Sequence, residues 1–191
     1  FKLNTGNHPT GTNNLALGNN AGANWTGSTT GSVAVGVHAS QYNPATYNIA
    51  IGRFALRGVN GASTGTNNTA IGTNAGAAVT TATGSVLGGH NAGNAITTGV
   101  GNVILGSAAA GALVNGTNNV AIGTSVATSL SSGTNNVIVG VNAGDTTTTG
   151  SNNTILGNGA AASSATVSNE ITLGNASIDA LRIPGVGFYI D

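Results

Sequence analysis

Eight side chains in this 191-residue sequence can exchange protons or hold a metal: the carboxylates Asp145, Glu170, Asp179 and Asp191, the imidazoles His8, His38 and His90, and the amine of Lys2. Glycoside hydrolysis needs two carboxylates flanking one bond, and no two of these four stand close along the chain. The histidines are equally scattered. His38 and His90 each follow a glycine by two residues, the place that Asn20, Asn74 and Asn142 occupy elsewhere, so a structural polar ladder accounts for them. The alternative is a metal on a symmetry axis where three copies of one histidine converge. Cysteine is absent, which removes thiolate nucleophiles, thiolate metal sites and disulfides. Lys2 is the sole lysine and no G-x-x-x-x-G-K-[ST] stretch exists, which removes the phosphate-binding loop. Tripeptides such as Asn24-Trp25-Thr26 match a glycosylation acceptor, but so Asn- and Thr-rich a chain yields them by chance. No catalytic residue, metal site or cofactor is assigned, and no enzyme activity is expected.

Binding chemistry concentrates in one place. Between residues 25 and 57 the sequence carries Trp25, Tyr42, Tyr47 and Phe54 together with Arg53 and Arg57. Aromatic faces stack on sugar rings, and guanidinium groups pair with carboxylates. These six residues are the expected ligand-binding set, the alternative being that they plug a gap in the fold or cap its first coils. A second expected surface is the C-terminal stretch, Arg182, Phe188 and Tyr189, where a hydrophobic cap is again the alternative.

Charge limits the partners. Four basic and four acidic residues give zero net charge and 4% charged residues, against about 25% in an ordinary domain. Nucleic acid and anionic membrane surfaces both require basic patches, so neither is an expected partner. No apolar run reaches the roughly 18 residues of a membrane helix, and membrane insertion is not expected. The opening Phe1-Lys2-Leu3, without Met or a signal-peptide pattern, reads as a fragment or a processed product.

The elements that must hold these residues are written in a repeat. Thirty-two glycines among abundant Asn, Thr and Ala argue against helices. A phrase of Asn, any residue, a small apolar residue, an aliphatic and Gly recurs, as in Asn48-Ile49-Ala50-Ile51-Gly52, Asn119-Val120-Ala121-Ile122-Gly123 and Asn136-Val137-Ile138-Val139-Gly140. With three degenerate copies there are ten, ending at glycines 18, 36, 52, 72, 88, 106, 123, 140, 157 and 174. The spacing averages about seventeen residues, which suits one coil of a parallel β-solenoid with two strands of about five residues and two turns. Strand alternation assigns the aliphatic before each glycine to the core, and places the preceding column (Ala16, Ala34, Ala50, Ala70 and onward) on the other face. That column is apolar as well. A strand apolar on both faces is buried on both, so the second column is expected to face another copy of the chain, the alternative being a wider single-chain roll with both faces inside.

The run Gly65-Thr66-Asn67-Asn68-Thr69-Ala70-Ile71-Gly72-Thr73-Asn74-Ala75-Gly76 resembles the left-handed parallel β-roll repeats in the heads of trimeric autotransporter adhesins, whose repeats are usually shorter. The stretch Asn169-Glu170-Ile171-Thr172-Leu173-Gly174-Asn175-Ala176-Ser177-Ile178-Asp179-Ala180-Leu181-Arg182 looks like the end of a bacteriophage tail fibre or tailspike, before a cleavable intramolecular chaperone. Together the resemblances imply an all-β, homotrimeric, left-handed β-roll of about ten coils over residues 1–182, with a cap or tip segment at 183–191. They imply a mature fibre tip on a virion, attaching to a host surface receptor that is expected to be a carbohydrate. The alternatives are the head of a bacterial adhesin at the cell surface, a polysaccharide depolymerase and an ice-binding solenoid.

Overall fold

The computed structural model describes residues 11–180; Arg182, Phe188, Tyr189 and the 183–191 segment lie outside the described residues. Each phrase forms a single strand of three residues: β1 (Leu15–Leu17), β2 (Val33–Val35), β3 (Ile49–Ile51), β4 (Thr69–Ile71), β5 (Val86–Gly88), β6 (Val103–Leu105), β7 (Val120–Ile122), β8 (Val137–Val139), β9 (Thr154–Leu156) and β10 (Ile171–Leu173). All ten pair in parallel in sequence order, each with the next. The chain is therefore an all-β solenoid of about nine turns bounded by ten strands. The expected second strand per coil does not form. Its place is taken by tight turns, whose backbone still hydrogen-bonds from coil to coil, as in Ala110 N–H to Val126 O at 2.8 Å and Ala127 N–H to Ala143 O at 2.8 Å.

Turn chemistry explains why the strand is short. The residue two after the strand-ending glycine has positive φ in coil after coil, from Asn20 (55°) to Asn74 (59°) and Asn142 (55°). The N–H one residue further on returns to the glycine carbonyl, as from Ala75 to Gly72 at 3.3 Å. This is the turn class that needs a left-handed third residue and favours Gly or Asn there. A second left-handed position precedes the Asn of the phrase, filled by Asn67, Asn118, Asn135 and Asn152, by Gly, or, before Asn48, by Tyr47. The abundance of Asn and Gly is thus a consequence of bending the chain several times in seventeen residues.

The glycine itself cannot be replaced cheaply. At Gly123, φ is +141° and a Cβ would stand against the carbonyl oxygen of Gly140 in the next coil. The same contact repeats along the stack, from Gly18 against Gly36 to Gly140 against Gly157. Gly123→Ala is expected to cost about 2–4 kcal/mol, combining backbone strain with displacement of the neighbouring coil, and thermal unfolding checks it. Between β4 and β6 this rule also corrects the reading of the sequence. Leu87 pairs with Ala70 and Ile104, and Gly88 with Ile71 and Leu105, so the stacked glycine of that coil is Gly89, with φ +126°. The phrase is Ser85-Val86-Leu87-Gly88-Gly89, and from Gly72 onward every coil is seventeen residues long.

The two faces of the strand are the reverse of the expected ones. The central residue points into the core: Ala34, Ala50, Ala70, Leu87, Ile104, Ala121, Ile138 and Ile155 are buried. The aliphatic before the glycine is the one that faces outward, with Ile51, Ile71, Leu105, Ile122 and Leu156 all exposed. A seventeen-residue coil leaves a narrow interior that must also hold a second alanine column (Ala39, Ala75, Ala92, Ala109, Ala143) and a larger side chain from the far turn (Val79, Ile96, Leu113, Leu130). Volume is shared among these columns. Where the strand supplies only Ala121, the second column supplies Val126 in place of alanine.

Beside the apolar columns runs a chain of buried amides. Asn119 donates from Nδ2 to Gly133 O at 2.8 Å, and its Oδ1 accepts the Asn136 backbone N–H at 3.0 Å. Asn136 repeats this with Gly150 and Asn153, and Asn68 does so with Ala82 and Ser85. The series ends where Glu170 takes the Asn position, its N–H bonded to Asn153 Oδ1 at 2.9 Å. Its carboxylate accepts from the Ser163 N–H and hydroxyl and from the Thr172 hydroxyl. These donors, the Ser163 hydroxyl foremost, hold the Glu170 carboxyl below the usual range. A depressed folded pKa contributes stability that is present above the unfolded value and lost as pH falls through the folded one. Melting of the last coil, followed by hydrogen exchange, is therefore expected to worsen on acidification in the wild type, and Glu170→Gln is expected to remove that dependence.

Candidate functional site

The coils between Gly18 and Gly72 are 18, 16 and 20 residues long and depart from the regular period. The aromatic and basic residues fall in them. Four side chains come together: the Phe54 ring stacks on His38 with centroids 5.2 Å apart, Arg53 Cζ sits 4.3 Å above the Phe54 centroid, and Arg57 Cζ lies 5.3 Å from it. His38 and Phe54 occupy the left-handed turn position two after the glycine, with φ 58° and 60°. Asn, Gly or a small residue stands at that position in the other coils. A bulky residue held at positive φ is an outlier that costs of order 1–3 kcal/mol, and such residues cluster at functional sites.

Electrostatically the cluster is unbalanced. Among the described residues no carboxylate pairs with Arg53 or Arg57, and neither guanidinium donates a hydrogen bond; Asp145, Glu170 and Asp179 belong to later coils. Arg57 Nε and His38 Nδ1 are buried without a partner. An unpaired buried donor costs about 1–3 kcal/mol, so the sequence tolerates both strain and an unmet donor at one spot.

Tyr42 stacks on the Arg57 backbone in the next coil, its N–H bonding Arg57 O at 2.7 Å. It lines a cavity of about 270 Å³ with Asn24, Pro44, Asn60, Gly61, Ser63 and Thr64. The wall at 59–64 exists because this coil has twenty residues. Ser63 pins it, accepting the Val59 N–H at 2.7 Å and donating to Val79 O at 2.9 Å. Asn24 Nδ2 reaches Asn60 Oδ1 at 3.2 Å across the rim, which leaves the Asn24 carbonyl and the Asn60 amide N–H without a partner among the described residues.

The other two members of the expected set lie elsewhere. Trp25 is only 5% exposed, donates from Nε1 to Ser40 Oγ at 3.2 Å, and fills the core. Tyr47 is 58% exposed with φ 59°, at the opposite end of β3, where it lies over Gly31. His90 directly follows Gly89, so Asn91 and not His90 shares the His38 position; Asn91 accepts from Asn74 Nδ2 at 2.9 Å, and the polar ladder is limited to that pair. Among the described residues no group of three His, Asp or Glu could hold a metal, and no helix is long and apolar enough to cross a membrane.

The outward face of the strands is built from the aliphatic column that the spacing assigns to the core, joined by the variable second residue of each phrase. Of the twenty outward positions on the ten strands, all but Thr69, Gly88 and Thr154 carry Leu, Val or Ile, and none of the twenty is buried. Nine inter-strand steps of about 4.8 Å make this stripe about 43 Å long. A solvated sheet face alternates to polar residues; this one carries no charge. No protein-family model, no curated protein and no solved structure matches the chain, so fold and surface chemistry alone support a functional reading.

Proposed function

We propose that the chain is the shaft and receptor-binding part of a bacteriophage tail fibre, a left-handed homotrimeric β-roll that attaches the virion to a host-cell surface. The carrying observation is the exposed aliphatic stripe on all ten strands. Continuous apolar patches of this kind mark interfaces. The stripe repeats one chemistry at every strand, so its best complement is the same stripe on another copy, aligned in register. Three copies enclose such stripes around an axis. A rod stabilised by small repeated contacts and carrying one irregular, strained cluster suits attachment better than chemistry.

The reading frame beyond Asp191 provides the test of the particle. A chaperone domain following it is the expected result, and a C-terminal membrane anchor would assign the chain to a bacterial adhesin instead. Incubation with bacterial surface polysaccharide is expected to release no oligosaccharide; release would make it a depolymerase.

A further inference from the structure

We infer that the receptor is an acidic saccharide, with its carboxylate held by Arg53 and Arg57 and a neighbouring neutral ring seated in the Tyr42 cavity. The inference rests on the reading of this region as the attachment surface and adds the ligand's chemistry. Three observations converge on it. Both guanidiniums lack a counter-ion and an acceptor among the described residues; exposed Arg53 presents a planar fork of donors that matches a carboxylate, and Arg57, whose Nε is buried, adds its terminal amino groups. Their guanidinium carbons lie 4.3 and 5.3 Å from the Phe54 ring centroid, a contact that positions them before any ligand arrives and lowers the entropic cost of binding. Next to Arg57, the cavity offers an aromatic wall at Tyr42, and the unpaired carbonyl of Asn24 and amide of Asn60 supply the acceptor and donor that vicinal hydroxyls require.

The alternatives fit less well. A nucleic acid or an anionic lipid surface is bound by many cations spread over a patch, and here two stand alone. A neutral glycan would use the cavity but leave both guanidiniums unpaired. One anion beside one hydroxylated ring is the pattern of a uronic or sialic acid within a chain.

The test is calorimetric titration of the intact protein with sialyllactose and a galacturonic acid tetrasaccharide, beside lactose, a galactan tetrasaccharide and inorganic phosphate. At least one acidic oligosaccharide is expected to bind more tightly than its neutral counterpart, and Arg53→Gln and Arg57→Gln are each expected to weaken it about tenfold or more. Asn60→Ala is expected to weaken the acidic oligosaccharide that binds, because its amide contacts the neutral ring. Arg53 is exposed, so its variant keeps the fold even if the Arg57 variant does not, and melting curves report on both. The inference is overturned if no acidic sugar exceeds its neutral counterpart, if Arg53→Gln changes nothing, or if phosphate binds as tightly as the best saccharide. Neutral sugars binding with the arginine variants unaffected would overturn the acidic ligand and leave the attachment reading standing. Failure to adhere to any bacterial surface would remove the attachment reading as well.

Discussion

Asn119→Ala is expected to destabilise the protein by about 3–5 kcal/mol, whereas Asn118→Ala, one residue earlier, is expected to cost less than about 1 kcal/mol. The Asn119 side chain donates to Gly133 O at 2.8 Å and Asn102 Oδ1 at 3.2 Å, and accepts from Asn136 N at 3.0 Å and Nδ2 at 3.0 Å. All of these atoms are in the interior, and alanine leaves the Gly133 carbonyl and the Asn136 N–H buried without partners. Asn118 is exposed, with one long amide contact to Asn135 at 3.4 Å, and what it mainly contributes is tolerance of φ 55°. Chemical denaturation of the two variants makes the comparison. Equal losses would show that the amide chain is ornamental and that turn conformation alone sets the coil.

The second large effect concerns assembly. Leu105→Glu combined with Leu156→Glu places two charges on the outer face, three strands apart. Both leucines are 37% exposed in the single chain, so the solenoid itself is expected to keep its circular dichroism. In a trimer each substitution brings three carboxylates into a desolvated seam, a penalty of several kcal/mol per ion. The doubly substituted chain is expected to run as a monomer, while a control charge on an exposed turn, Ser129→Glu, leaves the assembly unchanged. Retention of the trimer by the double variant would move the interface to another face of the coil.

The period of about seventeen, the parallel stacking and the apolar character of both strand faces could be read directly from the spacing of the phrases. Which face was inside could not. Alternation relates Ala121 to Ile122 but does not say which of them turns inward, and the usual preference for burying the larger residue is reversed here because the coil is too narrow for an isoleucine at every strand. The register at Gly88-Gly89 was hidden for a related reason. Either glycine completes the phrase in sequence, and only the close approach of Gly106 selects Gly89. The Asn of the phrase was visible as a recurring letter, but its role emerged only when coil stacking brought each amide beside the next backbone.

The candidate site was legible in its residues and not in its grouping. Arg53, Phe54 and Arg57 are close along the chain, and a turn gathers them. His38 joins through the coil stack, and Asn24, Tyr42 and Asn60 meet around a cavity because one coil is longer than its neighbours. Trp25 looked like part of the surface cluster because a large aromatic is rare in this chain. It fills the core in the coils where the strand supplies only Ala16 and Ala34.

The molar mass of the purified chain, by light scattering on a sizing column, tests the central claim most directly. The outward aliphatic stripe as an intersubunit seam predicts about 55 kDa, three copies of 18.2 kDa. A value near 18.2 kDa would contradict it, leaving ten strands of exposed aliphatic side chains in water and removing the trimeric fibre as their explanation.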